Sequence, residues 1–317
     1  KEENKLKHNI KVTSILICMF LVTQLIGLYI VGSYSDGIDL PFGMEPPEEI
    51  QEVSLAGGLT SIVIAFVIAV LLFFLLMKIN AQTFIRLWYF SVTIIALGLS
   101  LFVILYKLGI NMQLVALLIA LPLAYIKVFK RNLYVHNFTE LLIYPGIAAV
   151  FISFLNNVFG NNVILATIII LFIISLYDMW AVWHSGFMQK MAEFQMNNLK
   201  FFTGFFVPYA DKKNKAKIKL IKEKYKNDDE KLEKNFKKAK IKINLAILGG
   251  GDIIFPIIAA GVFYERFGLN SGILIAVMST IALIGLFSFA KKGKYYPAMP
   301  FITAGLYIGM GLSWILF

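Results

Sequence analysis

Two aspartates stand where a carboxylate is hardest to keep. Asp252 follows Gly249-Gly250-Gly251 inside an apolar run from about 243 to 263, in which no other residue is charged. Asp178 follows Tyr177 inside the run 163–188 and is comparably deep in apolar sequence. An acid near the middle of a membrane span costs roughly 2.5–3.5 kcal/mol, so each needs a partner and a purpose. Two carboxylates facing each other in a low dielectric cannot both be ionised, and they hold one proton between them. Such a pair can hydrolyse an amide. One carboxylate takes a proton from water, the other protonates or hydrogen-bonds the scissile carbonyl, and water adds with no covalent intermediate. The alternative is that the aspartates carry a proton or cation through a transporter or channel.

The neighbouring residues suit hydrolysis. Gly249 and Gly251 remove side chains beside Asp252, so another backbone can come close. Three glycines in a helix interior would each cost about 1 kcal/mol relative to alanine, which calls for a reason. Pro256 has no amide hydrogen, so the carbonyl of residue 252 loses its helical partner and the helix loosens at the acid. Further on, Pro297-Ala298-Met299-Pro300 places two prolines three apart at the start of the last apolar run. Irregular backbone at membrane depth is tolerated where it lines a cavity. There it offers unsatisfied groups with which an unwound, extended peptide can pair.

The elements that must position these residues are helices. The 317 residues are 59% hydrophobic, with a mean hydropathy of +0.75, more apolar surface than one soluble core can bury. Nine runs are long enough to span a bilayer: 11–32, 57–77, 87–106, 111–127, 138–159, 163–188, 243–264, 271–290 and 297–317. The expected fold is therefore all-α, a polytopic membrane protein with nine transmembrane helices. Residues 1–188 hold helices one to six, 189–242 form a basic, partly disordered cytoplasmic loop, and 243–317 hold helices seven to nine. Within the loop, the phenylalanine-rich stretch 196–208 is expected to lie in the membrane interface. The first run is longer than a signal peptide's apolar core and is read as a retained helix.

Charge sets the orientation. Of the 30 Lys and Arg, 28 fall on the N-terminal tail and the even-numbered loops, and only Lys107 and Arg266 fall on the other side. The positive-inside rule then puts the N-terminus in the cytoplasm and the C-terminus outside. The net charge of +11 is thus a topology signal, with lysines near anionic lipid, rather than a nucleic-acid surface. On this reading Asp178 and Asp252 lie at matched depth on consecutive antiparallel spans.

Tyr177-Asp178, Gly249-Gly250-Gly251-Asp252 and Pro297-Ala298-Met299 occur in that order on runs six, seven and nine. The chain in this respect resembles the presenilin and signal peptide peptidase family of intramembrane aspartyl proteases, whose motifs are YD, GxGD and PAL. The resemblance implies that Asp178 and Asp252 are the catalytic pair, that Tyr177, Gly249 and Gly251 support them, and that Pro297, Ala298 and Met299 position the substrate. Met299 stands where the family has leucine, an apolar exchange of similar volume. The N-in orientation is that of presenilins, and the size is that of a microbial homologue working without partner subunits. Substrates would be transmembrane helices, the setting a microbial cell membrane, and no cofactor or metal is implied.

Other polar residues read as structural. Glu140 is expected at the interface near Arg131 rather than as a third catalytic group. His184 and Ser185 are adjacent on a helix and do not face each other, so they make no serine-protease pair. His8 and His136 lie near loops and form no metal cluster, and Trp180 and Trp183 suit packing or an interfacial belt. Gly305 and Gly309, four apart, suit close helix packing. The single cysteine, Cys18, permits no internal disulfide. Oligomeric state is not legible.

Overall fold

A computed structural model describes residues 10–44, 54–130, 132–184, 203–210, 244–290 and 296–317, with isolated residues 194, 195, 199, 214, 220 and 221. Among the described residues the main elements are α1 (Ile10–Ser35), α2 (Leu55–Lys78), α3 (Gln82–Lys107), α4 (Gln113–Tyr125), α5 (Leu133–Phe159), α6 (Val163–Trp183), β1 (Gly204–Tyr209), β2 (Asn244–Gly249), α7 (Gly250–Phe267), α8 (Leu269–Phe289) and α9 (Met299–Leu316). The chain is mostly helical. Seven helical segments are long and apolar enough to cross a membrane, with α5 and α6 running together as one of them. This is the architecture of a polytopic membrane protein.

The helix not among those seven, α7, lies at the centre of the molecule. It carries Asp252, Glu265 and Arg266, yet Pro256 to Phe263 are all buried. It packs against α1, α5, α6, α8 and α9. Small residues make this possible: Ala259 and Ala260 are fully enclosed, and Gly261 sits against Ile152 of α5. The expected close packing at Gly305 and Gly309 is also present. A side chain at Gly305 would meet Ala282 and the Met278 carbonyl, and one at Gly309 would meet Ile275, all on α8.

The seventh apolar run is not one helix. Its first part, Asn244–Gly249, is strand β2, paired antiparallel with β1. The three glycines therefore do not sit in a helix interior. Gly249 is the extended residue that caps α7, and Gly250 and Gly251 open its first turn. Nor are the residues between Lys242 and Asp252 a single helical stretch. The sheet also corrects the interfacial reading for the β1 part of 196–208, because Phe205 is wholly enclosed in the core; residues 196–202, Leu199 apart, lie outside the described residues. Of the loop 189–242, little beyond β1 lies within the described residues.

Candidate active site

Asp252 stands in the first turn of α7, placed there by the strand-to-helix change at Gly249. The Gly249 N–H turns back to its carboxylate. Glycine suits this corner, since a Cβ on Gly249 would lie 3.2 Å from Asp252 Oδ2. The tightest approach, however, is at Gly250, where a Cβ would come 2.7 Å from the Tyr144 hydroxyl of α5. At Gly251 a Cβ would meet nothing nearer than Phe255 at 3.9 Å, so that position faces open space. From α1, Gln24 Nε2 donates to the Ile253 carbonyl at 3.0 Å, next to the turn that Pro256 deprives of a donor.

Asp178 projects from α6 and is 9% exposed. Its Oδ2 accepts the Met299 N–H at 3.0 Å, and the Ala298 N–H also donates to it. Met299 and Pro300 are the first residues of α9, so Asp178 caps that helix from a neighbouring one. An anion is favoured at this place by the unpaired N–H groups and the positive end of the helix dipole. The prolines dictate where α9 can start, and Asp178 meets that start. One turn earlier on α6, Ser175 donates to Thr303 of α9 at 2.7 Å, and Tyr307 of α9 donates to the Ile168 carbonyl at 2.7 Å. Both contacts lie on the N-terminal side of Asp178 along α6, so polar side chains join the two helices for more than two turns beyond the acid.

Asp178 and Asp252 lie near enough for the charge of one to act on the other. Three segments far apart in sequence, the ends of α6, β2–α7 and the start of α9, therefore converge. Tyr177, next to Asp178 on α6, lies near enough to feel that acid's charge, while its ring turns to α2. Its ring packs edge-on against Phe66 of α2, with centroids 5.0 Å apart, and tilts against Trp180. Trp180 and Trp183 are each 55% exposed, as belt residues should be.

A family model described as signal-peptide peptidase, presenilin aspartyl protease matches residues 17–317. The chain belongs to that family. Like other members of the presenilin and signal-peptide peptidase family, it is an intramembrane aspartyl protease, a hydrolase of peptide bonds. Two solved structures of a presenilin family intramembrane aspartate protease share its fold. In the C222 crystal form the identity is 18%, the match covers 96% of this chain and 99% of the other, and the TM-score is 0.59. In the P2 form the identity is 18%, the coverage 95% and 97%, and the TM-score 0.55. No curated protein matches the chain. Family membership decides between the hydrolase and the transporter set out from the sequence.

Behind this presenilin-family site lies a buried charged cluster that sequence reasoning missed. Glu140 of α5 is fully enclosed and pairs with Lys127, itself 3% exposed, in a π-helical segment that follows α4. This corrects the placement of Glu140 at an interface near Arg131, which lies outside the described residues. It also takes Lys127 out of the loop to which its charge assigned it. His136, expected near a loop, is buried between them: its Nδ1 is 3.3 Å from Lys127 Nζ, and its Nε2 donates to the Gly204 carbonyl of β1 at 2.8 Å. Among the described residues no group of His, Cys, Asp and Glu is arranged to hold a metal.

Proposed function

We propose that Asp178 and Asp252 together activate one water molecule to hydrolyse peptide bonds within transmembrane segments. What supports this most is a single arrangement: Asp178 caps the very residue, Met299, at which α9 begins, while Asp252 opens α7 beside it. One carboxylate accepts a proton as water attacks the scissile carbonyl. The other hydrogen-bonds the carbonyl oxygen and gives its proton as the tetrahedral diol forms. Collapse of the diol breaks the C–N bond, and a proton passes to the leaving nitrogen. Gly249 and Gly251 keep the approach to Asp252 clear, Tyr177 holds α6 against α2, and Pro297, Ala298 and Met299 position the substrate.

A helical substrate must first unwind, because its peptide bonds are sealed in its own hydrogen bonds. Strand β2 offers an extended template that ends three residues before Asp252. We place the substrate along it as an added strand, so that main-chain bonds carry the unwound segment to the acids. The chain would cross the membrane nine times with its N-terminus in the cytoplasm and its C-terminus outside, in a microbial cell membrane. Apart from strand β1, residues 189–242 would form a cytoplasmic loop.

The test uses purified protein in vesicles with a single-span peptide bearing a central Gly-Gly pair. Asp178→Asn and Asp252→Asn are each expected to abolish cleavage at a wild-type level of folded protein. Full activity in either variant would overturn the assignment.

A further inference from the structure

The two long edges of the β1–β2 hairpin are not equivalent. In an antiparallel pair the N–H and C=O of one residue point to the same side, and the side alternates along the strand. Phe206 gives its N–H to Asn137 Oδ1 at 3.0 Å and takes Asn137 Nδ2 on its carbonyl at 2.8 Å. The even-numbered residues of β1 therefore face away from β2. Two observations agree with that parity. The Gly204 carbonyl is held by His136, and Pro208, the third outward residue, has no N–H at all. At every outward position of β1 at least one of the two main-chain groups is thus occupied or missing.

The register pairs Gly204 with Gly249, Phe206 with Ile247 and Pro208 with Leu245. By the same alternation Leu245, Ile247 and Gly249 point outward from β2. Gly249 turns its N–H to Asp252. Among the described residues no hydrogen bond satisfies the outward groups of Leu245 or Ile247, and Leu245 is 40% exposed. Among the described residues, one edge of the hairpin is closed and the other is open.

We propose that Asn137, backed by His136, is a positioning residue that closes β1 to strand addition. It thereby directs an extended substrate to β2, in a single register against Asp252. The inference rests on the substrate-strand reading above. A carboxamide carries the same donor and acceptor as a peptide group, so Asn137 occupies the place of one residue of a neighbouring strand. His136 is fixed for the same task. A carbonyl only accepts, so its Nε2 carries hydrogen toward Gly204, and its Nδ1 is left to accept from Lys127. Both side chains come from the first turns of α5, the helix that also presents Tyr144 to Gly250. The hairpin is held in register by the wall of the site.

Freed of Asn137, β1 can slip along β2 or accept a strand itself. Slips that keep side chains on their own face move in steps of two residues. The test maps the cut bonds of the same single-span peptide by mass spectrometry, with the full chain in vesicles. Asn137→Ala is expected to add a cut two residues from the wild-type bond. It should lower kcat about tenfold with KM within about twofold, as for a misplaced reacting group. Asn137→Asp keeps the acceptor for Phe206 and loses the donor, and should show the same second cut at a smaller loss of rate. It decides alone if Asn137→Ala does not fold. A purely structural role would reduce the folded fraction and leave the cut where it was. Wild-type cut positions and rates in folded Asn137→Asp overturn the proposal. Asp252→Asn is run alongside: if it loses cleavage while Asn137→Asp is unchanged, only the edge assignment falls. If cleavage survives Asp252→Asn, the reading beneath it falls.

Discussion

The surroundings of Asp252 and those of Asp178 hold their acids by different means. Asp252 begins a helix whose whole middle is enclosed, beside Tyr144, Gln24 and a hairpin that is itself clasped by His136 and Asn137. Asp178 lies on a helix that shows Leu165, Phe172, Leu176, Trp180 and Trp183 to the outside. On its other flank stands α2, in which Gly58 is the one buried residue among those described. What fixes Asp178 is its bond to the start of α9, reinforced by Ser175–Thr303 and Tyr307. One acid opens a helix that is built into the core, and the other is tethered on a helix at its margin. Disturbing the first should therefore cost stability and rate together, whereas disturbing the second should cost rate with little stability.

The largest effect is expected behind Asp252. Glu140→Ala leaves the Lys127 ammonium buried without its partner, which should destabilise the fold by about 3–5 kcal/mol. Replacing both by apolar residues, Lys127→Met with Glu140→Leu, should recover most of that. Thermal unfolding of the purified protein checks both, and a double variant no better than Glu140→Ala would break the comparison.

Next come the adjacent glycines. Gly250→Ala drives a methyl into the Tyr144 hydroxyl, 2.7 Å away, and should cost about 1–3 kcal/mol of stability as well as activity. Gly251→Ala adds its methyl to open space and should unfold like wild type while cleaving more slowly. Equal losses of stability in the two would remove the distinction between a packed face and a substrate face.

The smallest effect belongs to the tether. Ser175→Ala removes one hydrogen bond between α6 and α9 and should cost about 0.6 kcal/mol, the average for such bonds in membrane proteins. Its unfolding midpoint should shift only slightly below that of wild type, and its cleavage rate should fall only modestly. A destabilisation as large as that of Gly250→Ala would place α6 in the core after all.

Much of this is legible in the amino-acid sequence. Hydropathy marked the chain as a polytopic membrane protein, and Asp178 and Asp252 stood out in it as acids isolated in apolar runs. Pro297 and Pro300 marked the start of α9. Other features were hidden for physical reasons. The run 243–264 is continuously apolar, and an apolar run carries no periodicity to separate strand from helix. Asn244–Gly249 becomes a strand only because Gly204–Tyr209, some forty residues earlier, pairs with it. Lys127 reads as a loop charge and Glu140 as an interfacial acid when each is set beside its sequence neighbours. Their partnership is made across two helices, and it shows only when α5 folds back against the end of α4. The weight placed on Gly249 and Gly251 likewise missed Gly250, whose constraint comes from Tyr144 on another helix.

The central claim is that Asp178 and Asp252 act as one unit on one water. Single-turnover cleavage of the same vesicle-bound peptide by Asp178→Asn, Asp252→Asn and the double variant tests it most directly. Residues that act together are grossly non-additive, so the account predicts that all three fall to the same floor. A single variant well above that floor, with the double variant lower by the product of the two separate losses, would contradict it.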